Sequence, residues 1–172
     1  WSDTIRHALG GLRATMGESM LVFAPHANSW RRFANQSYAP VSPTWGVDNR
    51  SVALRIPAGD KAARRIEHRP AGVDSNPYLV AATVLAGIRH GLANSIDPGP
   101  ETTGNGYVDG QDAPAIPGDW RSAIHAAKSS EFLKSALGED MHRTFVAIKE
   151  AEYARVARTI SEVDYDLYLY TV

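Results

Sequence analysis

Four arginines and a glutamate fall within twenty residues of one another: Arg50 and Arg55 in NRSVALRIP, then Arg65, Glu67 and Arg69 in RRIEHR. Guanidinium groups this close repel one another and need anions between them. The planar arginine fork forms paired, charge-assisted hydrogen bonds with phosphate and carboxylate, so the set suits a nucleoside triphosphate together with a carboxylate substrate. Glu67 either pairs with its neighbouring arginines or ligates Mg²⁺, a hard cation that takes oxygen donors and bridges to substrate phosphates. The same residues also fit a solvated ladder of ion pairs on a sheet face, and spacing alone does not separate the two.

Parity constrains the first reading. Arg50 and Arg55 are five positions apart, so an unbroken strand sends them to opposite faces; they meet one ligand only if Arg50 precedes the strand or a bulge intervenes. A second cluster, NSWRRF at 28–33, offers Arg32 to an anion and Asn28 to loop backbone, or is a structural loop. The six histidines, His7, His26, His68, His90, His125 and His142, show no HExxH or similar spacing and read as surface or packing residues rather than a metal site. GNGYVDG at 104–110 resembles a glycine-rich phosphate loop only in composition, because it neither follows a clear strand nor opens a helix.

These groups need elements to place them. Val52, Leu54 and Ile56 alternate with Ser51, Ala53 and Arg55, the period-two pattern of a half-buried strand that Pro57 ends. After a turn at Ala58-Gly59-Asp60, strand geometry puts Arg65, Glu67 and Arg69 on one face, and the two short strands are expected to pair antiparallel. Upstream, Ile5, Leu9, Leu12, Met16, Met20 and Phe23 predict one helix over 3–24, capped by Asp3 and followed by Pro25. Gly10 and Gly11 weaken it by up to ~1 kcal/mol each relative to alanine, which a close packing contact would justify. The polar, aromatic stretch 28–43 reads as loop or short turns.

Asn76-Pro77 is a strong helix start, and the helix that runs to about Leu92 is apolar around most of its circumference, which predicts burial against the sheet. Four prolines and five glycines make 94–118 a long exposed loop or linker. Asp119 then caps a helical segment, Gly138 punctuates it, and a long helix runs from Met141 to about Ile160. The aromatic end, EVDYDLYLYTV, is expected to pack back on the body or on a neighbouring subunit. The fold class is α+β, with antiparallel strands backed by helices.

Composition narrows the function. Eighteen basic and nineteen acidic residues give a net charge of −1, without the basic excess that nucleic acid or an anionic membrane would call for. The absence of cysteine excludes a disulfide framework, a thiol nucleophile and cysteine-held zinc, and leans towards the cytoplasm. Apolar runs are broken well before ~18 residues, and no signal-peptide pattern opens the chain. A hydrophobic content of 44% supports a sizeable core. The direct start at Trp1 into helical periodicity suggests a piece of something longer.

The ordered string NSWRRF, SYAP, WGVDNRSVALRIP, RRIEHR, then NPYL before an alanine-rich helix resembles the C-terminal half of a glutamine synthetase-family catalytic domain. It covers about residues 1–95 strongly and 119–172 more loosely. The resemblance implies an ATP- and Mg²⁺- or Mn²⁺-dependent ligase in which the side-chain carboxylate of glutamate is phosphorylated and an amine attacks the γ-glutamyl phosphate. By motif position it implies that Arg50, Arg55 and Arg65 contact the nucleotide phosphates, with Arg55 also on the transferred phosphoryl group. It makes Glu67 a ligand of the metal that activates phosphoryl transfer, and places Arg32 and Arg69 on the glutamate substrate. Arg55 and Glu67 are thus the catalytic pair.

One departure stands out against that pattern. Where ammonia-using members typically carry the glutamate of GYEAP, which helps to bind and deprotonate ammonium, this chain reads QSYAP and places Tyr38. A phenol with a reference pKa of about 10 does not supply that charge near neutral pH. The variant resembles γ-glutamylpolyamine and γ-glutamylputrescine synthetases, which implies a larger acceptor amine. An ammonia-using enzyme and a non-catalytic, nitrogen-sensing relative are the alternatives. The family's N-terminal β-grasp domain and the first half of its catalytic domain have no counterpart in these residues, so the isolated chain is expected to be inactive. The double-ringed dodecamer of the family is expected only of the full-length protein.

Overall fold

The computed structural model describes residues 1–34, 36–109 and 115–171, without the side chain of Ala63. Gly110 of the GNGYVDG stretch and residues 111–114 of the long loop lie outside the described residues.

The expected first helix is two: α1 (Asp3–Ala14) and α2 (Met16–Phe23). The break falls at Thr15, whose hydroxyl donates to the Gly11 carbonyl at 2.9 Å while its own carbonyl accepts from Ser19 Oγ at 2.7 Å. Side chains bonding back to the preceding turn compete with the helical ladder. The N-cap is Ser2, not Asp3: the Ser2 hydroxyl accepts from the Ile5 amide, and Asp3 is the first helical residue, where its charge favours the positive end of the helix dipole. α2 is the centre of the core, with Met16, Met20, Leu21, Val22 and Phe23 all at 2% exposure or less.

A 3₁₀ segment (Ala27–Arg32) follows, and then three short strands, β1 (Trp45–Val47), β2 (Leu54–Ile56) and β3 (Glu67–His68), in the order β1-β2-β3. β2 and β3 pair antiparallel as expected, with Arg55 opposite Glu67 and Leu54 opposite His68. β1 lies parallel to β2, which the pattern of antiparallel strands had not anticipated. A parallel pair ordinarily needs a long crossover. Strands of three residues are only about 10 Å long, so the return is short. Residues 48–53 complete it with Asp48 in a left-handed conformation (φ 47°) and Asn49 Oδ1 accepting the Ser51 amide at 2.9 Å.

Five helices follow among the described residues: α3 (Pro77–Ala93), α4 (Trp120–Lys128), α5 (Glu131–Leu137), α6 (Glu139–Arg158) and α7 (Glu162–Tyr168). Asn76 caps α3 through the amides of Tyr78 and Leu79, and Asp119 caps α4 through that of Ser122, as their positions predicted. α3 does not bury itself against the sheet. It lies along α1, with Gly87 and Gly91 against Gly11, and leaves Tyr78, Leu85 and Leu92 exposed. The glycines allow the backbones of α1 and α3 to touch: a Cβ on Gly11 would sit 2.2 Å from the Gly87 carbonyl oxygen, and one on Gly10 2.1 Å from that of Ile96. The aromatic tail does not pack on the body, since no residue of α7 is buried.

Candidate functional site

Arg55 is the hub of the arginine cluster. From the middle of β2 its Nη1 donates to Glu67 Oε2 at 2.8 Å, and its Nη2 donates to Asp48 Oδ1 on the connection from β1. Arg65 Nη2 takes the other oxygen of Glu67, Oε1, at 3.0 Å. The hydrogen bond from Arg55 is the main reason that the Glu67 carboxyl is held below the usual carboxylate range, with the Arg65 bond adding to it. The two carboxylates in turn raise the Arg55 guanidinium. Its Nε is buried and has no hydrogen-bond partner among the described residues.

Arg50 resolves the parity problem, because it precedes the strand, in the turn between β1 and β2, and comes to the same side as Arg55. Both line a polar cleft of about 520 Å³ with Val47, Asp48, Asn49, Thr103 and Gly104. Two guanidiniums, with the Asp48 carboxylate beside them, give this cleft the chemistry to take an anion.

The far wall is the segment expected to be a linker. Residues 98–107 are laid along the outer edge of β1 by specific bonds. The Thr102 amide donates to the Trp45 carbonyl at 2.9 Å, Trp45 Nε1 to the Gly99 carbonyl at 3.1 Å, and Asn49 Nδ2 to the carbonyls of Thr102 and Gly104 at 3.0 and 2.8 Å. Gly46 is required by this approach, since a Cβ there would stand 2.6 Å from the Thr102 oxygen. The sequence singled out neither Asp48 nor Thr103. A trace of the docking was the GNG stretch, whose glycine at 106 lies against the Ser51 backbone, where a Cβ would stand 2.8 Å from the carbonyl oxygen.

The two arginines expected on glutamate are placed differently. Arg69 spends its fork on backbone, donating from Nη1 to the carbonyls of Arg50 and Val52 and from Nη2 to that of Tyr38 at 2.9 Å. It ties the phosphate-side turn to the turn that carries Tyr38. Arg32 donates to the Pro70 carbonyl, stacks over Phe33 at 4.3 Å, and keeps a buried Nε without a partner. Neither holds an acidic side chain by hydrogen bond or ion pair among the described residues. Tyr38 itself is 67% exposed on a turn with φ 60°.

Glu67 is one hard carboxylate of the kind a divalent cation takes, not a whole metal centre, and its two oxygens are held by Arg55 and Arg65. No group of three or more His, Asp or Glu able to hold a metal occurs among the described residues. Mg²⁺ prefers octahedral oxygen, so the remaining donors must be phosphates, waters or groups from elsewhere.

Behind Glu67, His68 turns to the opposite face and meets Phe23 edge-on, with ring centroids 4.4 Å apart. Its Nδ1 is buried without a partner, and burial pulls its pKa down to about 4. The unfolded chain, at about 6.5, binds the proton first as pH falls, so stability is expected to be lost between pH 6.5 and 4 by about 3 kcal/mol. Denaturation curves across that window check it: His68→Gln should flatten the slope, and an unchanged slope would place the titration elsewhere.

The family model described as glutamine synthetase, catalytic domain, matches residues 1–168. The chain is 39% identical over 163 residues to gamma-glutamylputrescine synthetase PuuA of Escherichia coli, covering 95% of this chain and 34% of that protein. It is 36% identical to gamma-glutamylethanolamide synthetase GlnA4 of Streptomyces coelicolor, covering 81% of this chain and 30% of that one. Among solved structures, the GmaS/ADP complex superposes with a TM-score of 0.86 at 29% identity, over 98% of this chain and 40% of the other. The chain thus spans about a third of the length of these curated relatives. Among the described residues no helix is long and apolar enough to cross a membrane.

Proposed function

This chain belongs to the glutamine synthetase family, and from that premise we propose that it is the C-terminal part of the catalytic domain of a longer ATP-dependent ligase that joins glutamate to an amine larger than ammonia. In the first step a γ-carboxylate oxygen of glutamate attacks the γ-phosphorus of ATP and the bond to ADP breaks. In the second, the amine nitrogen attacks the γ-carbonyl carbon of the glutamyl phosphate, phosphate leaves, and the nitrogen loses a proton.

Arg50, Arg55 and Arg65 would hold the polyphosphate, and Arg55 would stay on the transferred group as its charge redistributes. Glu67 would give one donor to Mg²⁺ or Mn²⁺, an ion that offsets phosphate charge when bound. Arg32 and Arg69 would stand on the glutamate side, Arg69 also holding the turn beneath the acceptor. In this reading half of the positioning groups come from outside these residues. The isolated chain is therefore expected to be inactive, and assembly into a family-type homo-oligomer is a property of the longer protein.

Tyr38 carries the acceptor proposal. An exposed phenol stands where a carboxylate would hold ammonium, and the names of PuuA and GlnA4 describe products of putrescine and ethanolamine. The test is ADP release by the full-length protein with glutamate and Mg²⁺, comparing ammonium, putrescine, spermidine and monoamines. A preference for a di- or polyamine is expected. Tyr38→Glu should shift selectivity towards ammonium by about tenfold or more, the scale of a charge-assisted hydrogen bond. Preference of the unaltered protein for ammonium would make it an ordinary glutamine synthetase, and no release with any acceptor would favour a nucleotide-binding, non-catalytic role.

A further inference from the structure

The turn under Tyr38 is built against its own backbone preference. Gln36 and Tyr38, neither of them glycine, both adopt left-handed φ angles, 62° and 60°. Each such residue persists only where its surroundings over-determine it. Local ties among the described residues include Ser37 Oγ donating to the carbonyls of Arg32 and Ala34, both at 2.7 Å, and accepting from the Ala39 amide at 3.2 Å, and the Ser37 amide donating to the Ala34 carbonyl at 3.2 Å.

Two long-range bonds close the clamp. Arg69 reaches the Tyr38 carbonyl from β3, and the Tyr107 hydroxyl donates to the Ala39 carbonyl at 3.0 Å from 68 residues away. Consecutive carbonyls are thus pinned from opposite parts of the chain. Ala39 and Pro40 are buried, so the clamp anchors the base of the turn and leaves the Tyr38 ring outside.

Tyr107 is itself fixed. Its amide donates to Asn105 Oδ1 at 3.1 Å, and the Gly106 amide before it donates to Ser51 Oγ at 2.8 Å, in the turn that bears Arg50. The segment that walls the phosphate cleft with Thr103 and Gly104 therefore ends, three residues later, as a support for the Tyr38 turn.

We infer that Tyr107 is a positioning residue that sets acceptor selectivity by holding the Tyr38 turn in its left-handed form, an inference that rests on the acceptor reading of Tyr38. Loss of one hydroxyl loosens the turn without emptying the core, so Tyr107→Phe keeps its ring packing.

Steady-state kinetics of the full-length enzyme with putrescine, spermidine and ammonium test it. Tyr107→Phe is expected to raise the KM of the preferred amine by about three- to tenfold, the worth of one hydrogen bond, with KM for ATP and glutamate unchanged and Tm lowered by no more than a few degrees. Tyr38→Ala should move the same parameter, and the double variant should add little beyond the larger single effect, because both act through one turn.

A Tyr107→Phe enzyme with unaltered acceptor KM, or with all three KM values and Tm shifted alike, would overturn the inference. If Tyr38→Ala moves acceptor KM and Tyr107→Phe does not, the acceptor reading stands and the positioning role falls. If Tyr38→Ala moves no acceptor KM, both fall.

Discussion

Replacing Arg55 with alanine in the full-length ligase is expected to lower ATP-dependent ADP release by about 10²–10³-fold, the range for removing one preorganised donor from a transition state. The geometry makes it the most sensitive position of the cluster. From the middle of β2, Arg55 bonds two acidic side chains, Glu67 and Asp48, and lines the cleft with Arg50. Its removal leaves two carboxylates beside the cleft proposed to take the polyphosphate, so in that reading nucleotide is repelled as well as unheld. Arg55→Lys keeps the charge but not the fork and should recover only part of the loss. Nucleotide affinity and Tm, measured alongside turnover, separate chemistry from folding. Activity within about threefold of the unaltered enzyme at equal Tm would remove Arg55 from the mechanism.

The antiparallel pairing of β2 with β3 was legible because it follows from local rules, and the structure adds the register. Period-two alternation ended by Pro57, a short turn and a second run of alternating charge leave antiparallel pairing as the simplest closure, and Arg55 does stand opposite Glu67. The start of α3 at Asn76-Pro77 and the cap at Asp119 are local in the same way.

What stayed hidden depends on partners distant in sequence. The segment 98–107 is rich in glycine and proline because it must fit against β1, yet its ties to Trp45, Asn49, Ser51 and Ala39 span more than fifty residues and have no periodic signature. The parallel β1 was concealed by its length, since three residues are too few to show a pattern. For α3 the composition misled: its apolar circumference suggested burial on all sides, whereas Thr83, Gly87 and Gly91 set the buried line, Leu79, Val80, Val84 and Ile88 pack beside it, and Tyr78, Leu85 and Leu92 stay exposed. Arg69 shows the limit for single residues, because sequence places it beside the other arginines but not on three backbone carbonyls.

That buried line gives the largest expected effect on stability. Gly91→Ala places a Cβ 2.0 Å from the His7 carbonyl oxygen and 2.7 and 2.8 Å from the Gly11 N and Cα, so it meets backbone rather than a side chain able to move aside. α1 and α3 must separate, and α1 carries Leu9 and Leu12 into the core. The expected loss is about 3 kcal/mol or more, at the upper end for overpacking. Helix propensity pulls the other way, since alanine in a helix interior is favoured over glycine by about 1 kcal/mol. A destabilised Gly91→Ala therefore reports packing against propensity. Gly118→Ala is the control, because a Cβ there meets nothing within 4 Å. Thermal denaturation of the two variants in the full-length protein decides the matter. A Gly91→Ala protein as stable as the Gly118→Ala one would mean that α1 and α3 are not held backbone to backbone, and that the support α1 gives the core beneath the arginine cluster is looser than the glycines imply.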